Sequence, residues 1–168
     1  KIFLENLNFE KYADFIINMP LLFLNKANKV VAAKGKTFND YMLGNIKEIK
    51  KQKPKEKDLE VHLSTIFTEL RLKKYIEIRS LDACEWDCHC AGPAFYTGLI
   101  YSNLEESLDI IKNWKIDDIL NAYLEAPKKG LQTEINKKSI RHWGKVFFKL
   151  SKKGLIYRNE VNKKKSNE

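Results

Sequence analysis

Apolar and polar side chains alternate with a two-residue period in the middle of the chain, over residues 71–80. Successive side chains of an extended chain point to opposite faces, so this pattern predicts a β-strand. Ile76 and Ile78 fall on one face, which we expect to turn towards a core. Glu77 and Arg79 fall on the other face, where polar groups would remain accessible.

The polar face of this predicted strand carries residue types that suit phosphate chemistry. Glu77 and Arg79 would stand close enough to act on one ligand, the carboxylate on a cation and the guanidinium on an anion. Tyr75 shares the face. Arg71 is spaced from Tyr75 by an even number of residues, and the N–H groups of its guanidinium could hold a substrate carboxylate. The pattern leaves an alternative open, in which these groups only form ion pairs on a half-exposed strand.

Apolar residues at three- and four-residue spacing predict helices in much of the rest of the chain. The predicted helical segments are residues 8–18, 37–42, 58–62, 86–101, 104–114, 116–124 and 139–153. Asn8 and Thr37 are predicted caps, and Gly154 is predicted to end the last helix. Short apolar runs predict a hairpin of residues 21–25 and 30–33. Polar and turn-forming residues predict a surface loop at 47–57, a turn at 127–130, and a loop or disordered tail at 159–168.

Composition narrows the classes of function without identifying one. The chain has 168 residues and 43% hydrophobic content, enough for one ordinary domain with a core. Its net charge of +9 would favour nucleic acid or an anionic membrane as a partner. Only four of the 31 basic residues are arginines, however, and the lysine clusters lack interleaved aromatic residues. We therefore expect no nucleic-acid partner and no membrane partner.

The remaining general features favour a cytoplasmic protein. No apolar run reaches the roughly 18 to 20 residues that span a bilayer, and no signal peptide is visible. Cys84, Cys88 and Cys90 are odd in number and close together, which favours reduced thiols over a disulfide framework. A zinc site is disfavoured because the sequence has no second cluster of ligands.

Two longer motifs resemble those of a known enzyme family. Residues 62–79 read HLSTIFTELRLKKYIEIR, and residues 93–101 read PAFYTGLIY. Both are similar to motifs of glutamate-cysteine ligase of the plant and proteobacterial type. Shorter matches at residues 12–15 and 37–42 occur in the family's order, and the resemblance runs over residues 9–158.

The resemblance implies an α+β fold of the kind shared by glutamine synthetase and guanido kinases, in which antiparallel strands form an open funnel over the active site. We expect only part of that fold, with a few antiparallel strands in the first half of the chain and helices in the second half. Members of the family are longer, and this chain does not begin with Met. Residues 1–168 are therefore expected to be a single partial catalytic domain, an internal to C-terminal fragment that is inactive alone.

The resemblance also implies an activity. In this family ATP phosphorylates the γ-carboxylate of L-glutamate, and the amine of L-cysteine attacks the γ-glutamyl phosphate, which is the first step of glutathione biosynthesis. Such a transfer uses Mg²⁺ and cationic side chains. By position Glu77 inherits the role of Mg²⁺ ligand, and Arg79 inherits the catalytic contact with the transferred phosphate. Arg71 and Tyr75 are the candidate substrate-binding residues.

Some positions qualify the resemblance. Leu22 stands where plant members carry a Tyr that lines the cysteine pocket, which leaves the acceptor amine open. Thr68 replaces a Pro, and Cys90 takes the place of one half of a regulatory disulfide of plant members. His62 is open as well, because a lone His near a helix end is more often a packing or capping residue than a catalyst. The alternatives are another ATP-dependent glutamate carboxylate-amine ligase and a non-catalytic basic helical interaction module.

Overall fold

The structure, a computed structural model, describes residues 7–26, 29–49 and 52–165. The chain divides into two compact units, residues 1–81 and 82–168. Both units combine helices with two-stranded antiparallel sheets, so the secondary structure has α+β content. That the two units belong to one domain stays a prediction.

The first unit alternates helices with antiparallel hairpins. In chain order its elements are α1 (Phe9–Ile17), β1 (Phe23–Lys26), β2 (Lys29–Ala32), α2 (Phe38–Met42), α3 (Glu56–Ser64), β3 (Leu70–Leu72) and β4 (Ile76–Ile78). β1 pairs with β2, and β3 pairs with β4. Lys47–Ile49 form a short 3₁₀ turn where a surface loop was predicted, and residues 50 and 51 of that loop lie outside the described residues.

Local polar contacts explain where the first two helices begin. The Lys11 N–H donates to the side chain of Asn8 at 2.9 Å. At α2 the Asp40 N–H donates to Thr37 Oγ1, and the Thr37 N–H donates back to Asp40 Oδ2, both at 3.0 Å. These contacts satisfy donors that the first turn of a helix leaves without a partner. Both predicted helix starts are confirmed.

The core of the first unit lies around the β1–β2 hairpin and α2. Its buried apolar residues are Leu21, Leu24, Ala33, Phe38, Tyr41, Ile46 and Ile49. His62 of α3 is only 1% exposed, and its ring stacks on Phe38 with 5.1 Å between centroids. Its Nε2 lies 2.8 Å from the Ile16 carbonyl oxygen. His62 is therefore a packing residue, which is one of the roles that the sequence left open for it.

The second unit is mainly helical. Its elements are α4 (Ala91–Ile100), α5 (Leu104–Ile111), α6 (Ile116–Lys129), β5 (Glu134–Ile135), β6 (Lys138–Ser139) and α7 (Ile140–Lys165), with 3₁₀ turns at Trp86–Cys88 and Gly130–Gln132. Trp114 packs on Trp143 and Phe147 of α7. Within the ranges described, no helix is both long enough and apolar enough to cross a membrane.

α4 and α7 cross with their backbones in close contact. A Cβ atom placed on Gly98 would lie less than 3.0 Å from the Ser151 carbonyl oxygen, and one placed on Gly154 would lie less than 3.0 Å from the Gly98 carbonyl oxygen. Ser151 Oγ donates to the Phe95 carbonyl across the same crossing at 2.8 Å. Only residues without a side chain allow two helices to approach so closely.

Two predicted helix ends are wrong. α7 passes through Gly154, which lies at the helix crossing, and continues to Lys165 over residues that include no Pro or Gly. Residues 159–165 are accordingly helical where a loop or disordered tail was expected, and residues 166–168 lie outside the described part of the chain. α6 likewise runs on to Lys129 and includes Pro127, which was assigned to a turn.

Candidate functional site

The residues singled out from the sequence lie on the β3–β4 hairpin and not on one long strand. β3 and β4 are antiparallel, with Arg71 directly opposite Glu77. The Lys73 N–H donates to the Tyr75 carbonyl at 2.9 Å where the chain turns between them. The prediction of a continuous strand is wrong, because the chain reverses direction inside the alternating segment.

The buried face of this hairpin is the polar one. Arg71 is 5% exposed, whereas Ile76 is 63% exposed. Ile78 is half-buried, as is the side chain of Glu77. The expectation that the isoleucines face a core is therefore wrong for Ile76. The polar face turns inward because backbone carbonyl groups at the end of α3 hold the guanidinium group of Arg71.

Arg71 connects the end of α3 to β4. Its Nη1 donates to the Ser64 carbonyl at 2.6 Å, and lies within 3.3 Å of the Ile66 carbonyl oxygen and 3.4 Å of the Leu63 carbonyl oxygen. Its Nε donates to Glu77 Oε2 at 2.7 Å, and its Nη2 lies 2.7 Å from the same oxygen. One guanidinium group thus contacts three carbonyls on one side and a carboxylate on the other.

Glu77 is surrounded by cationic side chains. Besides Arg71, Lys73 Nζ lies 3.9 Å from Oε2, and Arg79 Nη1 donates to Oε1 at 3.2 Å. The hydrogen bond from Arg71 is the main cause that lowers the pKa of the Glu77 carboxyl below its ordinary value, and the positive charges of Arg71, Lys73 and Arg79 lower it further. Glu77 is consequently ionised at neutral pH.

Arg79 is held less firmly than Arg71. Its guanidinium group lies over the ring of Phe67, 5.3 Å from the centroid, and its backbone N–H donates to the Glu69 carbonyl at 2.7 Å. The side chain is partly exposed. Sequence reasoning missed Phe67 and Lys73 as neighbours. Lys73 could have been found from its even spacing to Glu77, whereas the contact with Phe67 depends on the course of the chain before β3.

Tyr75 lies outside this cluster. It is 61% exposed in the turn of the hairpin and lines an apolar groove of about 630 Å³. Residues from α1, α3 and the end of β3 form the other walls, among them Phe9, Tyr12, Ile16, Leu59, Leu63 and Leu72. The structure thus brings Arg71, Glu77 and Arg79 together, and the groove lined by Tyr75 is formed without any of these three side chains.

The described residues alone do not fit a complete Mg²⁺ site. Within residues 7–26, 29–49 and 52–165, no group of three or more His, Cys, Asp or Glu side chains is arranged to hold a metal ion. Glu77 can contribute one carboxylate, since its low pKa keeps it charged. Further oxygen ligands would have to come from outside these residues.

The cysteines differ from the expectation of reduced thiols. Cys84 and Cys88 form a disulfide, with 6.0 Å between their Cα atoms, because the 3₁₀ turn at Trp86–Cys88 brings positions four apart together. Cys90 is free and exposed, and its Sγ lies 3.6 Å from His89 Nε2. The expectation is wrong for Cys84 and Cys88.

The carboxylate of Glu77 lies between two guanidinium groups, a geometry shared by ligand sites and by structural ion-pair networks. Comparison with known proteins assigns the class more narrowly. The profile of "Glutamate-cysteine ligase family 2 (GCS2)" matches residues 8–168. The chain belongs to this family, which confirms the resemblance found in its motifs.

Several plant proteins are similar to this chain. The chloroplastic glutamate-cysteine ligase of Solanum lycopersicum is 35% identical over 156 residues, which are 92% of this chain and 30% of the relative. That of Nicotiana tabacum is 33% identical over 156 residues, again 92% of this chain and 30% of the relative. Chloroplastic glutamate-cysteine ligase A of Oryza sativa subsp. indica is 34% identical over 158 residues, 92% of this chain and 32% of the relative.

Two further points concern the length of these relatives and their location in the cell. The chain spans 30% to 32% of the length of these curated relatives. All three relatives are chloroplastic enzymes, so the expectation of a cytoplasmic protein is wrong.

Proposed function

We propose that the complete protein joins L-glutamate to L-cysteine in an ATP-dependent reaction, the first step of glutathione biosynthesis. The observation that carries this proposal is family membership over residues 8–168. The names of the relatives support it, because each is a glutamate-cysteine ligase. The chloroplastic location of these relatives favours a plastid for this protein as well.

Two side chains of the hairpin cluster have the chemistry that the reaction needs. Arg79 is partly exposed and lies beside an ionised carboxylate, so its donors could meet the phosphoryl group that leaves ATP. Glu77 would supply one oxygen ligand to a metal ion. Mg²⁺, when bound, would neutralise charge on the phosphates. Tyr75 remains a candidate substrate-binding residue in the separate apolar groove.

The proposed fold is the α+β fold of glutamine synthetase and guanido kinases. The antiparallel pairing of β1 with β2 and of β3 with β4 supports this proposal. The exposed apolar side chains of Phe67, Leu70 and Ile76 support it too, since a larger sheet or a neighbouring segment would cover them.

A second candidate function differs only in the acceptor amine. Leu22 is 60% exposed and offers no hydrogen-bonding group where plant members carry the phenol of Tyr. A pocket that loses a polar contact discriminates less sharply for the substrate that used it. The protein could then ligate glutamate to an amine other than cysteine.

The test is an assay of ADP release by the purified complete protein with ATP, Mg²⁺ and glutamate. Cysteine, 2-aminobutyrate, serine and glycine are supplied in turn, and each product is identified by mass spectrometry. We expect ADP release with cysteine and a product with the mass of γ-glutamylcysteine. Turnover with another amine and none with cysteine would establish the second candidate. A folded protein that releases no ADP with any of these amines would overturn both.

A matched pair of variants tests the role of Glu77. Glu77→Gln keeps the shape of the side chain but removes its charge, so we expect turnover to fall by orders of magnitude at saturating ATP. Glu160→Gln makes the same chemical change at an exposed position of α7 and should leave turnover unchanged. Equal rates in the two variants across a Mg²⁺ titration would contradict the assignment.

A further inference from the structure

Arg71 has little capacity left for a substrate. Its side chain is 6% exposed, and Nε, Nη1 and Nη2 each have a partner in the protein. A substrate carboxylate would have to displace Glu77 or the carbonyl groups of α3. Displacing the carbonyl groups would take a partner from the buried Ile66 carbonyl, and displacing Glu77 would break two contacts of 2.7 Å.

The carbonyl contacts fix the position of Arg71. Leu63 and Ser64 belong to the last turn of α3, and Ile66 follows it. The last carbonyls of a helix lack partners within the helix and carry partial negative charge, so a cation at this end is favourable. Arg71 occupies that place with Nη1 and directs its other two nitrogens towards β4. Its orientation is therefore set by the backbone of α3.

The opposite side of the Arg71 guanidinium group fixes the orientation of the Glu77 carboxylate. Two nitrogens of Arg71 meet Oε2, each at 2.7 Å, while among the described residues Oε1 receives only the longer contact with Arg79 at 3.2 Å. Arg79 and Lys73 are about 30% exposed and can exchange their contacts with solvent, whereas Arg71 is buried. Both contacts converge on one oxygen from a planar group, so they fix the place of Oε2 more closely than a single rotatable ammonium group would.

We propose that Arg71 is a positioning residue that holds the carboxylate of Glu77 in one orientation, with Oε2 directed into the hairpin and Oε1 towards Arg79, and that it does not bind substrate. This inference rests on the proposed function for its catalytic consequence, because an oriented Glu77 matters if Glu77 is a metal ligand. The geometric part does not depend on that function. It changes the task expected of one arginine: Arg71, a candidate substrate-binding residue from the sequence, orients the carboxylate, whereas Arg79 keeps its expected role towards a phosphate.

The geometric part can be tested on the 168-residue chain without substrates. The carboxyl carbon of Glu77 is followed by ¹³C NMR during a pH titration, with Glu77→Gln identifying the signal. In Arg71→Met we expect the pKa of Glu77 to rise, since its main hydrogen-bond donor is lost. Arg79→Met is the matched control and should raise it less. An unchanged pKa in a folded Arg71→Met chain, or a larger rise in Arg79→Met, would overturn the inference.

A second measurement decides the question if Arg71→Met fails to fold. The exchange rate of the Arg71 Nε–H proton with solvent is compared between the original chain and Glu77→Gln. Loss of a hydrogen bond to a charged group should speed this exchange about tenfold or more. The same rate in both chains would show that Arg71 only caps α3, and the inference would fail.

The complete protein separates this inference from the proposed function. If Arg71 positions Glu77, Arg71→Lys should lower kcat and leave KM for glutamate nearly unchanged, because Lys keeps the charge but not the fork. A substrate ligand would instead raise KM for glutamate, and that result would overturn the inference even in an active ligase. Conversely, a protein without ligase activity whose Glu77 pKa responds to Arg71→Met would refute the function and retain the positioning role.

Discussion

The crossing of α4 and α7 leads to a quantitative prediction for Gly98. In Gly98→Ala the new Cβ would lie less than 3.0 Å from the Ser151 carbonyl oxygen, and ordinary contact needs at least 3.4 Å. Backbone atoms cannot rotate away, so the two helices must separate. The separation would lengthen two hydrogen bonds. Ser151 Oγ now donates to the Phe95 carbonyl at 2.8 Å, and Asn103 Nδ2 donates to the Leu150 carbonyl at 2.7 Å.

The cost can be estimated from these contacts. Overpacking costs about 1–3 kcal/mol, and each weakened hydrogen bond adds about 0.5–1.5 kcal/mol. The better helix propensity of Ala returns about 1 kcal/mol. We therefore expect a net loss of about 1–5 kcal/mol, which for a unit of this size lowers Tm by at least roughly 4 °C.

Tryptophan fluorescence measures this loss in the correct unit, because Trp86, Trp114 and Trp143 all lie in the second unit. Gly144→Ala is the matched control. Gly144 is also in α7, but a Cβ there meets nothing within 4 Å, so this change should raise stability by about 0.5–1 kcal/mol. If Gly98→Ala and Gly144→Ala shift Tm in the same direction, the close helix crossing is refuted.

Further predictions concern the first unit and the reaction. Burial lowers the pKa of His62 below 6.5, so the unfolded chain takes up a proton at a higher pH than the folded one. The contribution of neutral His62 to the free energy of unfolding is complete above about pH 6.5 and is lost as the pH falls through the pKa of the folded state. Urea unfolding of the first unit should therefore show a free energy of unfolding that decreases from pH 7.5 to 5.5. His62→Gln should make this decrease smaller. Thr37→Ala removes the acceptor of the Asp40 N–H and should cost about 1 kcal/mol in the same unfolding assay, and an unchanged midpoint would contradict the capping box. In the complete protein Arg79→Lys should lower the turnover number far more than it weakens glutamate binding, and combining it with Glu77→Gln should cost less than the sum of the two losses. Small additive effects in steady-state rates would mean that these residues form only a surface ion pair.

The starts of α1 and α2 could be predicted because their caps depend on near neighbours. Asn8 and Thr37 each bond to a backbone group three residues away, and such a pattern is complete within the local sequence. Family membership could be predicted for a related reason, since the motifs of residues 62–79 and 93–101 are contiguous. Neither conclusion requires knowing how distant segments meet.

Gly154 shows where local reasoning fails. A glycine after an amphipathic run commonly ends a helix, so the sequence alone favoured a stop there. The absence of a side chain serves a different purpose, which is the approach of the Gly98 carbonyl from α4. That approach joins residues 56 positions apart, and no pattern within α7 contains it.

The sequence by itself determined the family, the caps of the first helices and the identity of the charged residues near residue 77. Only the tertiary structure decided which of those residues meet. A two-residue period continues through a hairpin turn, so it does not reveal that Arg71 and Glu77 lie on opposite strands. Nor does it reveal that their face is the buried one. The carbonyl groups at the end of α3 draw Arg71 inward, and those groups occupy their places only once the helix and the hairpin have packed together.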